Sequence, residues 1–512
     1  MSTSENNKRI AQNTVMLYIR MFLTMAVSLY TSRVVLQALG IEDFGIYNVV
    51  GGIVGMLAFF NGSMATATQR FLNYEMGKGY EANLEKVFSV SLISYAGIAL
   101  LSFILAETIG LWFVHHKLVI SPHRLSAALW TYQACIFIFV VNLFSVPYYA
   151  TIIAHERMKA FAYIGIMEVL AKLLIAYAII HTPFDHLISY SLLMCMVPLM
   201  VLIAYMVYCH KHFKECRLKW IWDSTLFKKL IQFSGWMLAG TSSDLLVSQG
   251  VNLLINLYFG PLLNAARAVS MQVRAAVSSF YWNFMTASRP QIVKSYAQGN
   301  YEYMYKLVYS TTKLSFLMLF VLTLPIWFHT QFILNLWLKQ APEYSSLFVQ
   351  LILMELLITC TISPLAALSQ ASGKVRNYQL IISVLSILIF GMTWLVYALG
   401  FPVYTTFLIS IAVNLAGVIF RVVELHFSQH FPVRVYLLRV ICPITVYFLI
   451  AVGLIVLLRL NINPVNGITA VLSYSLLYIL LAVGLSWKIL LNGTERRLIK
   501  NAVKQVASRL KN

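Results

Sequence analysis

The sequence predicts an all-α polytopic membrane protein: about fourteen transmembrane helices, arranged as two parallel six-helix repeats followed by two C-terminal helices. Three observations carry this prediction. The 512 residues are 60% hydrophobic and only 11% charged, whereas a soluble domain carries about 25% charged residues. Apolar runs of roughly 20 residues, the length that spans a hydrocarbon core, recur along the chain. The segments between them are too short to fold as extramembrane domains. Finally, the chain repeats itself at a constant offset of 220 residues.

In chain order the spans are read at 12–36, 46–70, 87–114, 124–152, 161–180, 187–209, 232–258, 265–288, 307–333, 345–370, 379–399, 405–427, 437–459 and 467–490. The first run is too long for a signal-peptide core and lacks a small-residue cleavage site, so it reads as a retained span. With the N-terminus placed in the cytoplasm, 27 of the 38 Lys and Arg residues fall in cytoplasmic segments and 7 within spans. Only Lys117, Arg124, Lys339 and Arg459 fall on the opposite side. This bias orients the chain with both termini cytoplasmic. It also accounts for the net charge of +20 through the anionic inner leaflet, without a nucleic-acid partner. Membrane lipids are the expected partners of the basic tail 491–512, read as an amphipathic helix on that leaflet. The connector 211–231, with Trp220, Trp222 and Phe227 among its basic residues, is expected to lie there too.

The repeat is seen without gaps. Gln12 meets Gln232, Val27-Ser28 meets Val247-Ser248, Gly40 meets Gly260, and Phe60 meets Phe280. Thr66-Ala67 meets Thr286-Ala287, Gly79 meets Gly299, and Lys86 meets Lys306, where each opens the next span. Matches that keep their topological role at one offset indicate a duplicated unit. Six spans per unit is an even number, so the copies are parallel, as in transporters whose substrate site lies between two rocking bundles. The resulting domains are 1–210, a connector at 211–231, 232–430, and the two additional spans at 431–490. A duplicated scaffold without transport is the competing reading.

Charged residues inside the spans are the least lipid-compatible feature, each cation costing about 2.5–3.5 kcal/mol at mid-bilayer. Some have local explanations. Glu168 and Lys172 are spaced i,i+4, and Arg421 and Glu424 i,i+3. Lys313 and Arg33 lie near span ends and are expected to snorkel. Arg20, Arg267 and Arg274 have no such explanation. Arg267 and Arg274 are i,i+7 on the eighth span with Ser270 between them, and Arg20 lies in the first span, in the other repeat. They are assigned to a substrate-binding cationic cavity. The alternative is pairing with acids on neighbouring helices, such as Glu107 or Glu355. The seventh span adds a polar face: Asp244, Ser248, Asn252 and Asn256 recur every four residues, with Gln249 beside them. Asp244 reads either as a coupling-ion site or as an ion-pair partner for Arg20. The second span contributes Asn48, Asn61, Ser63 and Thr66, with Gly51, Gly52 and Gly55 expected to permit close helix approach. Guanidinium groups match phosphate oxygens bidentately, so an anionic, phosphorylated substrate is expected and small organic cations are disfavoured.

No metal site or cofactor is expected. Cys209-His210-Lys211-His212 and Cys216 read as a basic membrane-edge loop rather than a ligand set. An enzyme such as a membrane glycosyltransferase or polymerase needs a catalytic carboxylate or base on a sizeable outer loop. The outer loops here are about ten residues or shorter, and His115, His116 and His123 lack an acid in their own loop.

The run Leu39-Gly40-Ile41-Glu42-Asp43-Phe44-Gly45-Ile46-Tyr47, followed by Gln69-Arg70-Phe71 and by Gly77 and Gly79, resembles the first hairpin of the bacterial polysaccharide transporter family. These are the Wzx-type oligosaccharide-lipid flippases of the multidrug/oligosaccharidyl-lipid/polysaccharide exporter superfamily. The resemblance implies a V-shaped cavity and alternating access in a bacterial inner membrane. It implies an undecaprenyl-pyrophosphate-linked oligosaccharide as substrate, moved to the periplasmic leaflet for O-antigen or other lipopolysaccharide assembly. Other polysaccharide-assembly proteins are then candidate partners. A multidrug or cation antiporter of the same superfamily is the alternative.

Overall fold

The computed structural model describes residues 3–55, 59–79, 83–116, 121–217, 219, 221–338, 342–461, 467–493 and 495–496, and every element among them is helical. Eleven helices are long and apolar enough to cross a membrane. The spans expected at 46–70, 232–258 and 265–288 are absent from those eleven. The last two are helical but carry the polar faces noted above, which dilute their hydropathy below that of a lipid-facing helix; the first crosses residues 56–58, which lie outside the described residues. The tail beyond residue 496 lies outside the described residues.

The helices divide into two compact units, Gln12–Leu238 and a second made of Met1–Ala11 with Ala239–Asn512. The N-terminal unit holds most of α1 (Thr3–Gly55), then α2 (Phe59–Gly77), α3 (Leu84–Leu105), α4 (Leu111–His116), α5 (Leu125–Ala154), α6 (Met158–Ile180) and α7 (His186–His212). α5 is its core and packs on α2, α3, α6 and α7. The described part of the connector is not one continuous surface helix: α7 runs to His212, a 3₁₀ turn follows at Lys214–Cys216, and α8 (Ser224–Phe259) begins within it. The charges of the connector hold it down: His155 to Glu215, Lys219 to Glu85 at 2.7 Å and Lys86 to Asp223.

The C-terminal unit continues with α9 (Pro261–Ala297), α10 (Tyr301–Phe328), α11 (Thr330–Leu338), α12 (Ser345–Ser372), α13 (Arg376–Ala398), α14 (Thr405–Gln429), α15 (Val433–Tyr436), α16 (Cys442–Asn461) and α17 (Ile468–Ile489). α12 is central, packed on α9, α10 and α14, while α17 rests on α10 and α16.

The repeat is written into the backbone. Gly40 (φ 76°, ψ 174°) turns α1, and Gly260 (φ 81°, ψ −179°) separates α8 from α9. That region of backbone space is open essentially only to glycine. Gly79 and Gly299 both sit at φ 71°. Past these loops the equivalence shifts to 217 residues. Asn83 and Asn300 cap α3 and α10, and Pro147 and Pro364 interrupt α5 and α12. Glu156 and Gly373, just beyond those two helices, are both left-handed. The Lys86–Lys306 match is therefore not equivalent, since Lys86 is the third residue of α3 and Lys306 the sixth of α10.

Candidate functional site

Within the C-terminal unit, α8, α9, α12, α13 and α14 enclose a cavity of about 390 Å³ whose lining includes Asp244, Ser248, Arg267, Arg274, Glu355, Ser386 and Arg421. Three guanidiniums face two carboxylates, so the lining is cationic by one formal charge.

The α8–α9 hairpin builds one end of it. Ser248 and Asn252 are one turn apart on α8, and Gly260 returns α9 alongside them. Arg267 is thereby brought back to donate from Nη1 to Asn252 Oδ1 at 3.0 Å. Its Nη2 donates to the Ser248 carbonyl at 3.0 Å and to Ser248 Oγ at 3.4 Å. The polar stripe thus serves first to solvate a buried arginine. Two turns along α9, roughly 10 Å further, Arg274 forms an ion pair with Glu355 Oε1 of α12 at 2.9 Å. Asn414 of α14 donates to the same oxygen at 3.4 Å. Glu355 is the acid that the pairing alternative named for these arginines. Asp244 accepts a short hydrogen bond from Ser386 of α13. Gln249 and Asn256 are exposed and do not line this cavity.

Arg421 departs from expectation. No ion pair joins it to Glu424, whose Oε2 is buried without a partner. The guanidinium instead folds back over Gly417, where a Cβ would stand 2.6 Å from Nη1. Its carbon lies 5.9 Å from the Tyr378 ring centroid. Its Nε and Nη1 have no hydrogen-bond partner.

Arg20 belongs to the N-terminal unit. Its guanidinium stacks 4.1 Å over the Phe161 ring and rests on Gly165, where a Cβ would lie 2.5 Å from its Nε. In the C-terminal unit Gly240 of α8, the residue 220 positions after Arg20, admits Gln379 of α13. Glu168 and Lys172 do pair, at 2.6 Å. Lys313 does not snorkel: it is buried against Glu495 at 2.6 Å. Among the described residues a Cβ at Gly51 would meet only Cys135 Sγ at 3.7 Å and one at Gly52 nothing within 4 Å, so no close helix approach requires glycine at either position.

The Leu39–Tyr47 run is structural. Gly40 makes the turn. Asp43 takes both Nε, at 2.8 Å, and Nη2 of Arg124. Phe44 and Tyr47 pack against the Val34–Leu39–Tyr190 cluster, Tyr47 edge-on to Tyr190 at 4.9 Å. Arg124 also grips Asp185, whose carboxylate caps α7 through the Ile188 amide at 3.0 Å. Partial burial alone would raise the Asp185 pKa; the bonds from Arg124 and Ile188 outweigh it and hold the carboxyl below its ordinary range. An acid from α1, just past the Gly40 turn, joins one of the histidines: His123 Nε2 lies 3.9 Å from Glu42.

No protein-family model and no curated protein matches the sequence. Solved structures do. A multidrug resistance MATE family transporter of the MOP superfamily, in its outward-facing conformation, superposes with a TM-score of 0.69 at 11% identity, covering 82% of this chain and 96% of that one. A MATE protein in the bent conformation gives a TM-score of 0.69 at 12% identity, with coverage of 82% and 96%. A variant of the Vibrio cholerae MATE transporter VcmN gives 0.64 at 16% identity, with coverage of 84% and 100%. At these identities the likeness is one of fold: the chain has a MATE-like transporter fold.

Proposed function

We propose that the chain is a flippase that moves an undecaprenyl-pyrophosphate-linked oligosaccharide from the cytoplasmic to the periplasmic leaflet by alternating access, without enzymatic chemistry. The supporting observation is the sign of the cavity in the C-terminal unit: Arg267, Arg274 and Arg421 against Asp244 and Glu355. In a low-dielectric bundle an excess guanidinium favours an anion, and a diphosphate offers the planar fork its bidentate partner. Arg20, cationic and stacked rather than ion-paired, is proposed as the contribution of the N-terminal unit. Arg274 and Glu355 form a pair that substrate phosphate can open by competing for the guanidinium. Ser248 and Asn252 hold Arg267, and Asp244 on the same polar face is the place for a coupling ion. A cavity of about 390 Å³ lies at the small end of ligand pockets, which suits a headgroup rather than a whole oligosaccharide.

The test is the Arg267→Ala/Arg274→Ala double variant in a strain that depends on this protein for surface polysaccharide. The expected result is lost export with normal abundance in the membrane. Full export would remove these residues from the substrate path.

A second reading, a multidrug or cation antiporter, is favoured by Asp244 and Glu355 within the same cavity and by the multidrug transporter among the structural neighbours. It requires a deletion strain to become drug-sensitive with its polysaccharide unchanged.

A further inference from the structure

Arginines 267 and 274 are both satisfied by their own protein. Of the three arginines lining this cavity, the one that is not is Arg421, which sequence spacing had paired with Glu424. It is 6% exposed, and two of its three nitrogens lack any partner. No acid lies within ion-pair distance of it among the described residues. Glu355 is taken by Arg274 and Asp244 by Ser386. The hydroxyl of Tyr378, whose ring lies beside the guanidinium, is also buried without a partner. The gap in the α14 surface at Gly417 is filled by Nη1, so this glycine sets where the guanidinium lies.

A buried cation with unmet donors and a neighbouring tyrosine with an unmet hydroxyl, both among the residues that line one cavity, form an incomplete hydrogen-bonding site. What completes it must carry negative charge and several acceptor oxygens, and must be small enough for this cavity. We infer that Arg421 and Tyr378 together form the receiving site for a phosphate or diphosphate oxyanion in the C-terminal unit, with Gly417 positioning the guanidinium. Arg421 lies toward the end of α14 that precedes the loop assigned to the cytoplasm by the Lys and Arg bias, and Tyr378 lies at the start of α13 on the same side. A lipid diphosphate entering from the inner leaflet meets this unsatisfied pair before the internally paired Arg274 and Arg267. The inference rests on the flippase reading for its substrate, but oxyanion binding can be measured apart from transport.

The experiment uses the full chain in phosphatidylcholine nanodiscs, titrated by calorimetry with undecaprenyl diphosphate and separately with inorganic diphosphate. The wild type should bind at least one of them. Binding of both assigns recognition to the oxyanion alone, and binding of only the lipid form assigns it to a membrane-borne headgroup; either supports the site if it depends on Arg421. Arg421→Gln should weaken binding by at least about tenfold, as expected for a lost charge-assisted fork. Should that variant fail to fold, Gly417→Ala and Tyr378→Phe serve, one displacing the guanidinium without removing it and the other deleting only the hydroxyl. Each should weaken binding by about threefold or more. Affinity unchanged in all variants that fold, or no binding of either ligand, would overturn the inference. Diphosphate binding lost in Arg421→Gln, in a protein that translocates no lipid-linked oligosaccharide, would keep this site and sink the flippase reading instead.

Discussion

The ion pair between Lys313 and Glu495 joins residues 182 positions apart and fixes the segment after α17 to α10. Its two side chains are 1% and 3% exposed. Glu495 also accepts from Ser310 Oγ at 2.8 Å and from the Asn492 amide at 2.8 Å. Two unit charges about 4 Å apart attract by about 4 kcal/mol at an effective dielectric of about 20, and desolvating both offsets most of that. Removing one partner forfeits the attraction and leaves the desolvation. Lys313→Met or Glu495→Gln should therefore each destabilise the protein by about 3–5 kcal/mol. The glutamine variant should fall at the lower end, because its amide oxygen can still accept from Ser310 and Asn492. Lys313→Met combined with Glu495→Leu should return to within about 1 kcal/mol of wild type, so the single costs do not add. Reversible unfolding in mixed micelles, followed by far-ultraviolet circular dichroism, measures all four corners of this cycle once the Glu495→Leu single variant is added to it. Single variants indistinguishable from wild type, or a double variant as unstable as the sum of the singles, would refute the reasoning.

Three further outcomes are accessible to the same assay. Gly40→Ala and Gly260→Ala should each cost about 1–3 kcal/mol, because both glycines occupy a region closed to side chains, while Gly45→Ala, in a helix with open space at its Cβ, should be neutral or slightly stabilising; equal effects at all three would contradict this. Arg124→Lys should behave nearly like Arg124→Ala, since an ammonium cannot hold Asp43 and Asp185 in one fork; full rescue by lysine would count against the clamp. For Glu215, burial raises the carboxyl pKa, but the hydrogen bonds from His155 and its own backbone amide prevail and lower it. Its stabilising contribution is then complete above about pH 4.3 and disappears as pH falls through the lower native value. The stability gap between wild type and Glu215→Gln should accordingly close on acidification below that range, and a gap independent of pH would speak against it.

Much of this architecture can be read from the sequence because membrane helices are governed by local composition. The charge-poor runs locate the helices, and the glycines at 40 and 260 stand at equivalent turns because the same backbone geometry demands glycine in both copies. The Leu39–Tyr47 run stands out in the sequence, and the structure gives it a physical role: a glycine-only turn, an aspartate clamped by Arg124, and two aromatic side chains packed on a core. Pairing was less legible. Helical spacing identified Glu168 with Lys172 because both partners lie on one helix. It failed for Arg421, whose side chain turns toward Gly417 one turn before it instead of toward Glu424. It had no means of finding Lys313 with Glu495, which only the packing of α17 on α10 brings together. The polar face was half legible: Ser248 and Asn252 act together on Arg267 while Asp244 meets Ser386 of α13, but the four-residue period extended the face to Asn256, beyond the turn at which Arg267 meets it.

The most direct measurement is translocation in proteoliposomes that hold an undecaprenyl-diphosphate-linked oligosaccharide, read as its accessibility to a lectin or glycosidase in the outer medium. Wild-type protein should expose the lipid-linked sugar in a time-dependent manner, and Arg267→Ala/Arg274→Ala protein, reconstituted to the same density, should not. Translocation by the double variant at the wild-type rate would contradict the cationic-cavity account, and an inert wild type that moves organic cations in the same vesicles would contradict the flippase assignment itself.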